Sequence, residues 1–402
     1  MISAEDALHI ILDVTPRMDV KKISLLKADG RILAEDIVAR HPLPPFDNSS
    51  MDGYAVATKS GGGAPVILRV IGEASAGNPF DGRVDESDAV RVMTGGVIPQ
   101  GTSSVVPIEQ VTTLSEDRIE IREAIHHGAN IRKTGEDIQA GERVLQMGTR
   151  IGPAQTGILA ALGMGKVHVF KQPAINILAT GNELVDVEDE LHDGQIRNST
   201  SYALASYVKE AGGTPRLCGT VADKRKRIRK AIGEVLDCDI LLITGGVSVG
   251  DYDHVKQALE ELGAERRFWR VNIKPGKPLV FATFGKTLIF GLPGNPVSTT
   301  VTFLEFIRPA INKMTGREPV LPELVQARIE HDFEKHDKKR HFLRGIATIV
   351  QGTLVVRTTG TQSSGALSSM SRANCFIVIP ESVTEVKRGE MVQVALFNPF
   401  HS

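Results

Sequence analysis

The strongest constraint on the fold of this chain is an alternation of short apolar strands and amphipathic helices between residues 173 and 314. In chain order the predicted elements are strand 175–179, helix 201–210, strand 217–221, helix 224–236, strand 240–243, a helix from 251 that ends at Gly263, strands 279–282 and 287–290, and helix 297–314. This alternation indicates an open, mostly parallel sheet covered by helices on both faces. Because ligands of such sheets bind beyond the carboxyl ends of the strands, the loops there are the first candidates for a functional site.

A glycine-rich turn follows the strand 240–243 and leads into the next helix. The turn reads Gly245-Gly-Val-Ser-Val-Gly250 and is followed by Asp251 and Asp253. Its backbone N–H groups, the helix dipole and the hydroxyl of Ser248 can bind an anion. Carboxylates beside a phosphate site are favourable when a hard cation such as Mg²⁺ bridges them. The alternative is an ordinary turn whose aspartates cap the helix, and this segment alone leaves both interpretations open.

Two more acidic side chains follow strands of the same predicted sheet. Glu183 lies in the turn Thr180-Gly-Asn-Glu-Leu184, where it can reach a metal ion or a substrate hydroxyl, or it can simply begin the next segment. Asp223 follows the strand 217–221 and is either a further acid at this sheet edge or the N-cap of the next helix. Each of these signals is weak when taken alone.

A lysine-bearing turn, 272–278, also belongs to this edge. Lys274 and Lys277 lie three residues apart on a Pro-Gly turn. On such a rigid backbone two lysines can bind an oxyanion from two directions. Surface lysines on turns are common, so a structural role is the alternative.

The last loop at this edge, Gly291-Leu-Pro-Gly-Asn-Pro-Val-Ser298, opens the helix 297–314. Its prolines fix φ and its glycines allow close approach, so Asn295 or Ser298 can cap the helix or hold an anion. Two prolines and two glycines exceed what a cap requires, which favours a binding role.

The sequence on either side of this alternation is rich in short strands. Strands are predicted at 67–71, 89–93, 105–108 and 118–121, and again at 325–329, 342–350, 354–356, 376–379 and 392–397. An amphipathic helix, 3–15, begins with a capping box formed by Ser3 and Asp6. The predicted domains are a small linking domain (21–45 with 141–171), a β-rich domain (46–140), an α/β domain (1–20 with 172–318) and a C-terminal β domain (319–402).

Composition argues against several classes of protein. Basic and acidic residues number 47 and 48, and there are only one Trp and four Tyr, so neither a charged field nor a stacking surface for nucleic acid is present. Three scattered cysteines fit a reducing compartment. The first residues lack the basic start of a signal peptide, and the uncharged run 151–165 is too short and glycine-rich to span a membrane. We therefore expect a cytoplasmic protein that binds neither nucleic acid nor membranes.

The inventory of candidate groups favours one kind of chemistry. The sequence contains carboxylates, two lysines and glycine-rich turns, but no Walker A loop, dinucleotide fingerprint or His-Glu-x-x-His motif. This combination is typical of metal-assisted handling of phosphates or other oxyanions, in which positioning and charge neutralisation supply the catalysis.

The candidate loops, in this order, resemble those of the molybdopterin molybdenumtransferases of the MoeA and gephyrin E-domain family. The matching segments are Pro44-Pro-Phe-Asp-Asn-Ser-Ser-Met-Asp-Gly-Tyr-Ala55, Met93-Thr-Gly-Gly-Val-Ile-Pro99, Gly135-Glu-Asp-Ile138, Thr180–Leu184, Gly245–Gly250 with Asp253, Lys274–Pro278, Gly291–Ser298 and Gln362-Ser-Ser-Gly-Ala-Leu-Ser-Ser369. The resemblance implies a central α/β domain of the molybdopterin-binding type, a β-rich N-terminal insertion domain and a C-terminal β-barrel-like domain. It also implies a homodimer that inserts molybdenum from molybdate into adenylylated molybdopterin with Mg²⁺ and releases AMP. The molybdopterin adenylyltransferase is then an expected partner.

The resemblance also implies roles for individual residues. The catalytic residues would be Asp52, Thr94, Asp137, Asp253, Lys274 and Lys277. The metal ligands would be Glu183, Asp223 and Asp253. The substrate-binding residues would be Glu183, Gly245, Gly246, Ser248, Pro293, Asn295, Pro296, Ser298, Ser363, Ser364 and Ser368.

Two features of the sequence qualify these roles. Asn198 stands where the family usually has an acid, and the glutamate turn reads Gly-Asn-Glu rather than Gly-Asp-Glu. Arg340 and Arg344 could bind an oxyanion, but we expect both to be solvated turn residues.

An adenylyltransferase-like enzyme and a non-catalytic gephyrin-like scaffold are the alternative functions.

Overall fold

A computed structural model describes residues 1–57, 64–246, 254–317, 320–321 and 323–397. The chain forms two compact units, one made of Met1–Glu35, Met147–Gly152 and Lys166–Ser402, and the other of Asp36–Gln146 and Pro153–Gly165. The four-domain division made from the sequence is finer than this separation and stays a prediction.

The chain begins with helix α1 (Ala4–Val14), as predicted. The Oγ of Ser3 accepts a hydrogen bond from the backbone N–H of Asp6 at 3.0 Å, which confirms the predicted N-terminal cap. Strand β1 (Val20–Ser24) and a short 3₁₀ helix (Leu25–Lys27) follow.

The second unit is built mainly from β-strands. Its elements are β2 (Ile37–Val38), β3 (Asn48–Ser49), β4 (Gly53–Val56), β5 (Val66–Ala74), β6 (Asp88–Val92), β7 (Ser104–Pro107), a 3₁₀ helix (Ile108–Gln110), β8 (Val111–Ser115), β9 (Arg118–Ile121), β10 (Ile131–Arg132), β11 (Arg143–Leu145) and α2 (Pro153–Ala161). Six strands form a sheet in the order β7-β4-β6-β5-β9-β8. The predicted strands of this region are all present.

The first unit continues with the predicted α/β region. Its elements are β12 (Lys166–Phe170), β13 (Ala174–Thr180), β14 (Leu184–Val185), β15 (Ile196–Arg197), α3 (Ser199–Glu210), β16 (Thr214–Val221), α4 (Arg225–Glu234), β17 (Ile240–Thr244), α5 (His254–Glu261), β18 (Glu265–Phe268), β19 (Ile273–Lys274), β20 (Val280–Phe284), β21 (Thr287–Leu292), α6 (Pro296–Thr302), a π-helical turn (Phe303–Ile307) and α7 (Arg308–Thr315). The predicted helix 297–314 therefore exists but is interrupted by a π turn.

The central sheet has the order β16-β13-β17-β21-β20-β18. Its first four strands are parallel, and β20 runs antiparallel to its two neighbours, β21 and β18. Ile240 and Leu242 of β17 join a core with α1, α3, α6 and α7, whereas Leu241 and Ile243 join a core with α4 and α5. Alternate residues of one buried strand thus face helices on opposite sides, which confirms the predicted α/β arrangement.

The chain ends in a closed barrel. Its elements are β22 (Leu324–Ile329), β23 (Phe333–Glu334), β24 (Arg340–Val350), β25 (Thr353–Thr358), α8 (Leu367–Arg372), β26 (Cys375–Ile379), β27 (Glu385–Val386) and β28 (Met391–Leu396). The ring β24-β25-β22-β28-β26 closes through the pairing of β26 with β24. Closure removes exposed sheet edges and confirms the expected barrel-like domain. None of the described helices is long and apolar enough to cross a membrane.

Candidate functional site

The turn after β17 is shaped so that only glycine fits at its first position. Gly245 has φ +82°, and a Cβ atom there would lie 2.3 Å from the carbonyl oxygen of Thr180 at the end of β13. The backbones of two neighbouring strands therefore approach each other closely at their carboxyl ends. Gly246 follows with φ +64°, so both glycines of this turn occupy conformations that other residues rarely adopt.

A cavity of about 420 Å³ lies at this edge of the sheet, and we call it the acidic cavity. Its lining brings together most of the residues predicted for the α/β domain: Glu183, Asp223, Gly245, Gly246, Pro293, Asn295 and Pro296. They come from the loops after β13, β16, β17 and β21, which meet because the carboxyl ends of parallel strands share one edge.

Two oxygen atoms in the acidic cavity are buried without a hydrogen-bond partner among the described residues. They are the Oγ1 of Thr180 and the Oδ1 of Asp223. Both belong to residues that line the cavity. Buried polar atoms are normally hydrogen-bonded, so these two oxygens are candidate contacts for a ligand, ion or water.

Asp223 does not cap α4, so the cap interpretation of this residue is wrong. Helix α4 begins after Lys224 without a side-chain cap. Instead, the backbone N–H of Asp223 donates to the Oδ1 of Asn182 at 3.1 Å, which ties the loop after β16 to the loop after β13. This bond leaves the carboxylate of Asp223 available to the cavity.

Asn198, where the family usually has an acid, caps α3. Its Oδ1 accepts from the backbone N–H of Ser201 at 3.2 Å, and its Nδ2 donates to the Oγ1 of Thr220 at 3.3 Å. In the second bond the amide donates, whereas an aspartate would have to accept from the hydroxyl of Thr220. Asn198 therefore caps α3 and connects it to β16.

A second cavity, of about 770 Å³, lies in the same compact unit, and we call it the lysine cavity. One wall is the turn 273–278 with Lys274 and Lys277, and Ser298 of α6 adjoins it. The other wall comes from the barrel and includes Ser363 and Ser364. The cavity thus combines predicted residues that are separated by almost ninety positions in the sequence.

The acidic and lysine cavities adjoin each other at the start of α6. Pro278 lines both of them. The Nδ2 of Asn295 donates to the Oγ of Ser364 at 3.2 Å, and the backbone N–H of Val297 donates to the carbonyl oxygen of Ser364 at 3.3 Å. These bonds fasten the serine loop of the barrel to the α/β domain at the point where the cavities meet.

Arg344 is the buried anchor of this serine loop. Only 1% of it is exposed, and its guanidinium donates to the carbonyl oxygens of Thr361 and Ser363 and to the Oγ of Ser369. The expectation of a solvated turn residue was therefore wrong, because residue 344 lies within β24 and faces inward. Burial lowers the pKa of the guanidinium without threatening its charge at neutral pH.

The neighbouring segment 334–341, whose mixed charges are typical of an exposed turn, contains two buried residues. Lys335 and His341 are each 4% exposed. The Nζ of Lys335 donates to the carbonyl oxygens of Lys339 and Pro380, which satisfies the buried ammonium. Arg340 lies at the start of β24, where it pairs with Glu5 and Glu381 and is not a solvated turn residue either.

Ser368 does not line either cavity within the described part of the chain. Its carbonyl oxygen accepts from the Oγ of Ser371 at 3.0 Å inside the short helix α8. The next residue, Ser369, is fully buried and contacts Arg344. Ser369 was not predicted, because the sequence alone does not reveal which of two neighbouring serines faces inward.

Three predicted catalytic residues belong to the second compact unit. The Oδ1 of Asp52 accepts from the backbone N–H of Thr94 at 2.7 Å and from its Oγ1 at 2.8 Å. These two bonds from Thr94 lower the pKa of Asp52 and keep it ionised. Asp137 lies exposed on a turn, and its backbone N–H donates to the carbonyl oxygen of Leu43.

Ser248 and Asp253, together with the candidate cap Asp251, lie outside the described residues. Within the described ranges, no group of three metal-ligating side chains converges on one point. Of the predicted metal ligands, Glu183 and Asp223 share the acidic cavity, where they would present carboxylate oxygens to a hard cation.

The open α/β sheet with a glycine turn at its ligand edge, joined in one unit to a closed barrel, belongs to a multidomain protein whose central region matches a family of probable molybdopterin binding domains. Three family models match the chain: the MoeA N-terminal region (domains I and II) over residues 2–163, the probable molybdopterin binding domain over 176–313, and the MoeA C-terminal region (domain IV) over 326–397. The chain belongs to the MoeA family.

Curated relatives and solved structures agree along nearly the whole chain. A molybdopterin molybdenumtransferase of Haemophilus influenzae is 36% identical over 402 residues, which covers 99% of each chain. One from Staphylococcus aureus strain COL is 34% identical and covers 98% of this chain and 95% of its own. The crystal structure of a molybdopterin biosynthesis MoeA protein from Pyrococcus horikoshii OT3 superposes with a TM-score of 0.84, at 32% identity, over 99% of this chain and 100% of its own. These matches do not favour the adenylyltransferase or scaffold alternatives.

Proposed function

We propose that this chain is a molybdopterin molybdenumtransferase, which inserts molybdenum from molybdate into adenylylated molybdopterin and releases AMP. The observation that carries the proposal is the pair of adjoining cavities, one with acids and a glycine turn and the other with two lysines. Both substrates are anionic, so lysines can neutralise their charge directly and carboxylates can do so through a bound cation. The names of the full-length relatives support the same function.

Lys274 and Lys277 bind an anionic group of the substrates in this proposal. Their turn lies on a wall of the lysine cavity opposite Ser363 and Ser364 of the barrel. Ser298 adds a hydroxyl at the start of α6. Ammonium groups and hydroxyls neutralise and orient an oxyanion without forming a covalent intermediate.

Mg²⁺ binds in the acidic cavity in this proposal, held by Glu183 and Asp223 and joined by Asp253. The Oδ1 of Asp223 and the Oγ1 of Thr180, which have no hydrogen-bond partner among the described residues, support a ligand at this place. Carboxylate and hydroxyl oxygens are the donors that Mg²⁺ prefers. The ion would screen the negative charge of the phosphate groups next to these acids.

The proposal also includes a cytoplasmic homodimer in which Asp52, Thr94 and Asp137 contribute to catalysis. Asp52 supports this role because Thr94 holds it ionised and exposed, ready to accept a hydrogen bond or a cation. The molybdopterin adenylyltransferase is the expected supplier of the substrate, since the substrate carries the adenylyl group.

The test is release of AMP by the purified protein from adenylylated molybdopterin with Mg²⁺, compared with and without molybdate. We expect AMP release that depends on molybdate. Lys277→Ala should raise the KM for the anionic substrate about tenfold at low salt and less at high salt, because exposed charges are screened by salt.

Lys230→Ala is a matched control, since Lys230 is an exposed lysine of α4 that pairs with Glu234 and lines neither cavity. It should leave the KM unchanged. AMP release by the wild type that ignores molybdate would refute the proposed function, and consumption of ATP with molybdopterin would instead support an adenylyltransferase.

A further inference from the structure

The backbone places Lys274 beside a buried histidine of the barrel. Strand β19 pairs in parallel with β24, and Lys274 is in register with His341. The carbonyl oxygen of Asn272 accepts from the backbone N–H of Arg340 at 3.1 Å, and the side-chain Nδ2 of Asn272 donates to the carbonyl oxygen of Lys338 at 2.8 Å. Main-chain pairing and one side-chain bond thus fix the turn that carries Lys274 to the start of β24.

Asp337 joins the side chains of these two registered residues. Its Oδ1 lies 2.7 Å from the Nε2 of His341, and its Oδ2 lies 3.3 Å from the Nζ of Lys274. Lys339 is a second, more distant cation, with its Nζ 4.0 Å from Oδ2. One carboxylate therefore connects a buried imidazole to the ammonium group that we assign to substrate binding.

The protonation states of this network follow from its surroundings. Desolvation opposes the ionisation of Asp337, but hydrogen bonds from His341 and from the backbone of Lys339, with the nearby charges, outweigh it and lower the pKa to about 2. Burial is the main cause that lowers the pKa of His341, so its ring is neutral at neutral pH. Since an ionised carboxylate only accepts, the Nε2 of His341 must carry the donated hydrogen.

The segment that carries Asp337 is held in place on both sides. Lys335, which is 4% exposed, donates to the carbonyl oxygens of Lys339 and Pro380 at 2.6 and 2.5 Å. His341 packs its ring edge against Phe333, with ring centroids 6.0 Å apart. Asp337 is therefore a fixed acceptor, whereas Lys274 has a long and flexible side chain.

We propose that Asp337 is a positioning residue that holds the ammonium group of Lys274 in the lysine cavity, and that His341 fixes Asp337 for this purpose. The inference rests on the proposed function, because it assigns the network to the same site. Asp337 removes one unit of positive charge from the cavity, so its contribution to anion affinity is unfavourable. Its value lies in the orientation of Lys274 toward the reacting group.

The experiment measures kcat and KM for molybdate in the AMP-release assay with Asp337→Asn, which keeps the shape and removes the charge. We expect kcat to fall about tenfold, because small displacements of a positioned group reduce rates strongly. The KM for molybdate, and its Kd from calorimetry without turnover, should stay unchanged or decrease. A merely structural role would not produce this split between kcat and KM.

A double-mutant cycle tests whether Asp337 acts through Lys274. In a Lys274→Ala background, Asp337→Asn should cause no further fall in kcat. His341→Phe keeps the packing against Phe333 but removes the donor, so kcat should fall by a smaller factor of about three. This second variant leaves Asp337 in place and covers the case in which Asp337→Asn folds poorly.

Glu385→Gln is the matched control, because Glu385 lies on β27 of the same barrel, carries an exposed carboxylate paired with Lys387, and lines neither cavity. It should leave kcat unchanged. The inference is overturned if Asp337→Asn weakens molybdate binding, lowers kcat equally with and without Lys274, or behaves like Glu385→Gln. If the wild type shows no molybdate-dependent AMP release and every variant binds molybdate as the wild type does, both proposals are rejected. If the wild type is active and Asp337→Asn has the same kcat, only this inference is rejected.

Discussion

Arg344 shows how one residue can connect two parts of the candidate site. Its guanidinium and backbone together bond Thr361, Gln362, Ser363 and Ser369. The loop so held reaches the start of α6 through Ser364, at the junction of the two cavities. A lysine cannot reproduce this fork of donors, since its ammonium group is a single point of charge.

Arg344→Lys should therefore lower the free energy of unfolding by about 2–4 kcal/mol, because buried carbonyl groups lose their donors. Urea denaturation followed by circular dichroism measures this change. Arg357→Lys on the neighbouring strand β25 is the control, since Arg357 is exposed; we expect a change below about 0.5 kcal/mol there. Equal effects of the two substitutions would contradict the anchoring role of Arg344.

The limits of sequence reasoning are clearest at this residue scale. The strand that contains Arg344 was predicted at 342–350 and is present at Arg340–Val350. An arginine at its start looked solvated because arginines rarely lie inside. Its partners are backbone carbonyls of a loop about twenty residues away, and no sequence pattern reveals a main-chain acceptor. The same limitation hid Ser369 and the pair of Asp337 and His341.

At the scale of elements, the glycine turn after β17 has a testable geometric requirement. Gly245 and Gly263 have nearly equal φ angles, +82° and +81°, but differ in their surroundings. A Cβ on Gly245 would lie 2.3 Å from the carbonyl oxygen of Thr180, whereas nothing lies within 4 Å of a Cβ on Gly263. Substitution by alanine at the two positions therefore separates backbone strain from the contact between strands.

Gly263→Ala should destabilise the protein by about 1–2 kcal/mol, the typical strain of a left-handed alanine. Gly245→Ala should cost at least about 2 kcal/mol more, since main-chain atoms must move, and it should also abolish binding of the pterin substrate. Denaturation and a substrate-binding titration measure the two effects. If the two variants are equally stable, the close approach of β13 and β17 does not matter for folding.

The elements themselves were largely predictable from the sequence. The strands of the central sheet follow from short apolar runs, and their parallel order follows from the intervening helices. The π turn at Phe303–Ile307 was not predictable, because it depends on how the helix packs. The register of β19 against β24 was also hidden, since a two-residue strand has no recognisable pattern.

At the scale of the whole molecule, the π turn places an acid where it makes stability depend on pH. The residue Glu305 as a whole is half-buried, but its Oε1 atom is inaccessible to solvent and has no hydrogen-bond partner among the described residues. Desolvation raises the pKa of Glu305 to about 7, although Arg308 and Arg340 oppose the shift. Arg340 is at the same time shared with Glu5 and Glu381, so it neutralises Glu305 incompletely.

The sign of the pH effect follows from a folded-state pKa above the unfolded one. The stabilising contribution of protonated Glu305 is fully present below about pH 4.5 and is lost as the pH rises to about 7. Glu305→Gln keeps a neutral side chain at every pH. The compared quantity is the free energy of unfolding of the variant minus that of the wild type. We expect this difference to be about 2 kcal/mol larger at pH 8 than at pH 4.5.

The difference between the two stability curves isolates Glu305 from groups that titrate in the opposite sense. His341 is such a group, because its lowered pKa removes stability as the pH falls below about 6.5. Its contribution is common to both proteins and cancels in the difference. Urea denaturation at several pH values between 4.5 and 8 provides the curves. A difference that stays constant over this range would show that Glu305 is solvated or paired in solution, and that the π turn does not hold an isolated carboxylate in the core.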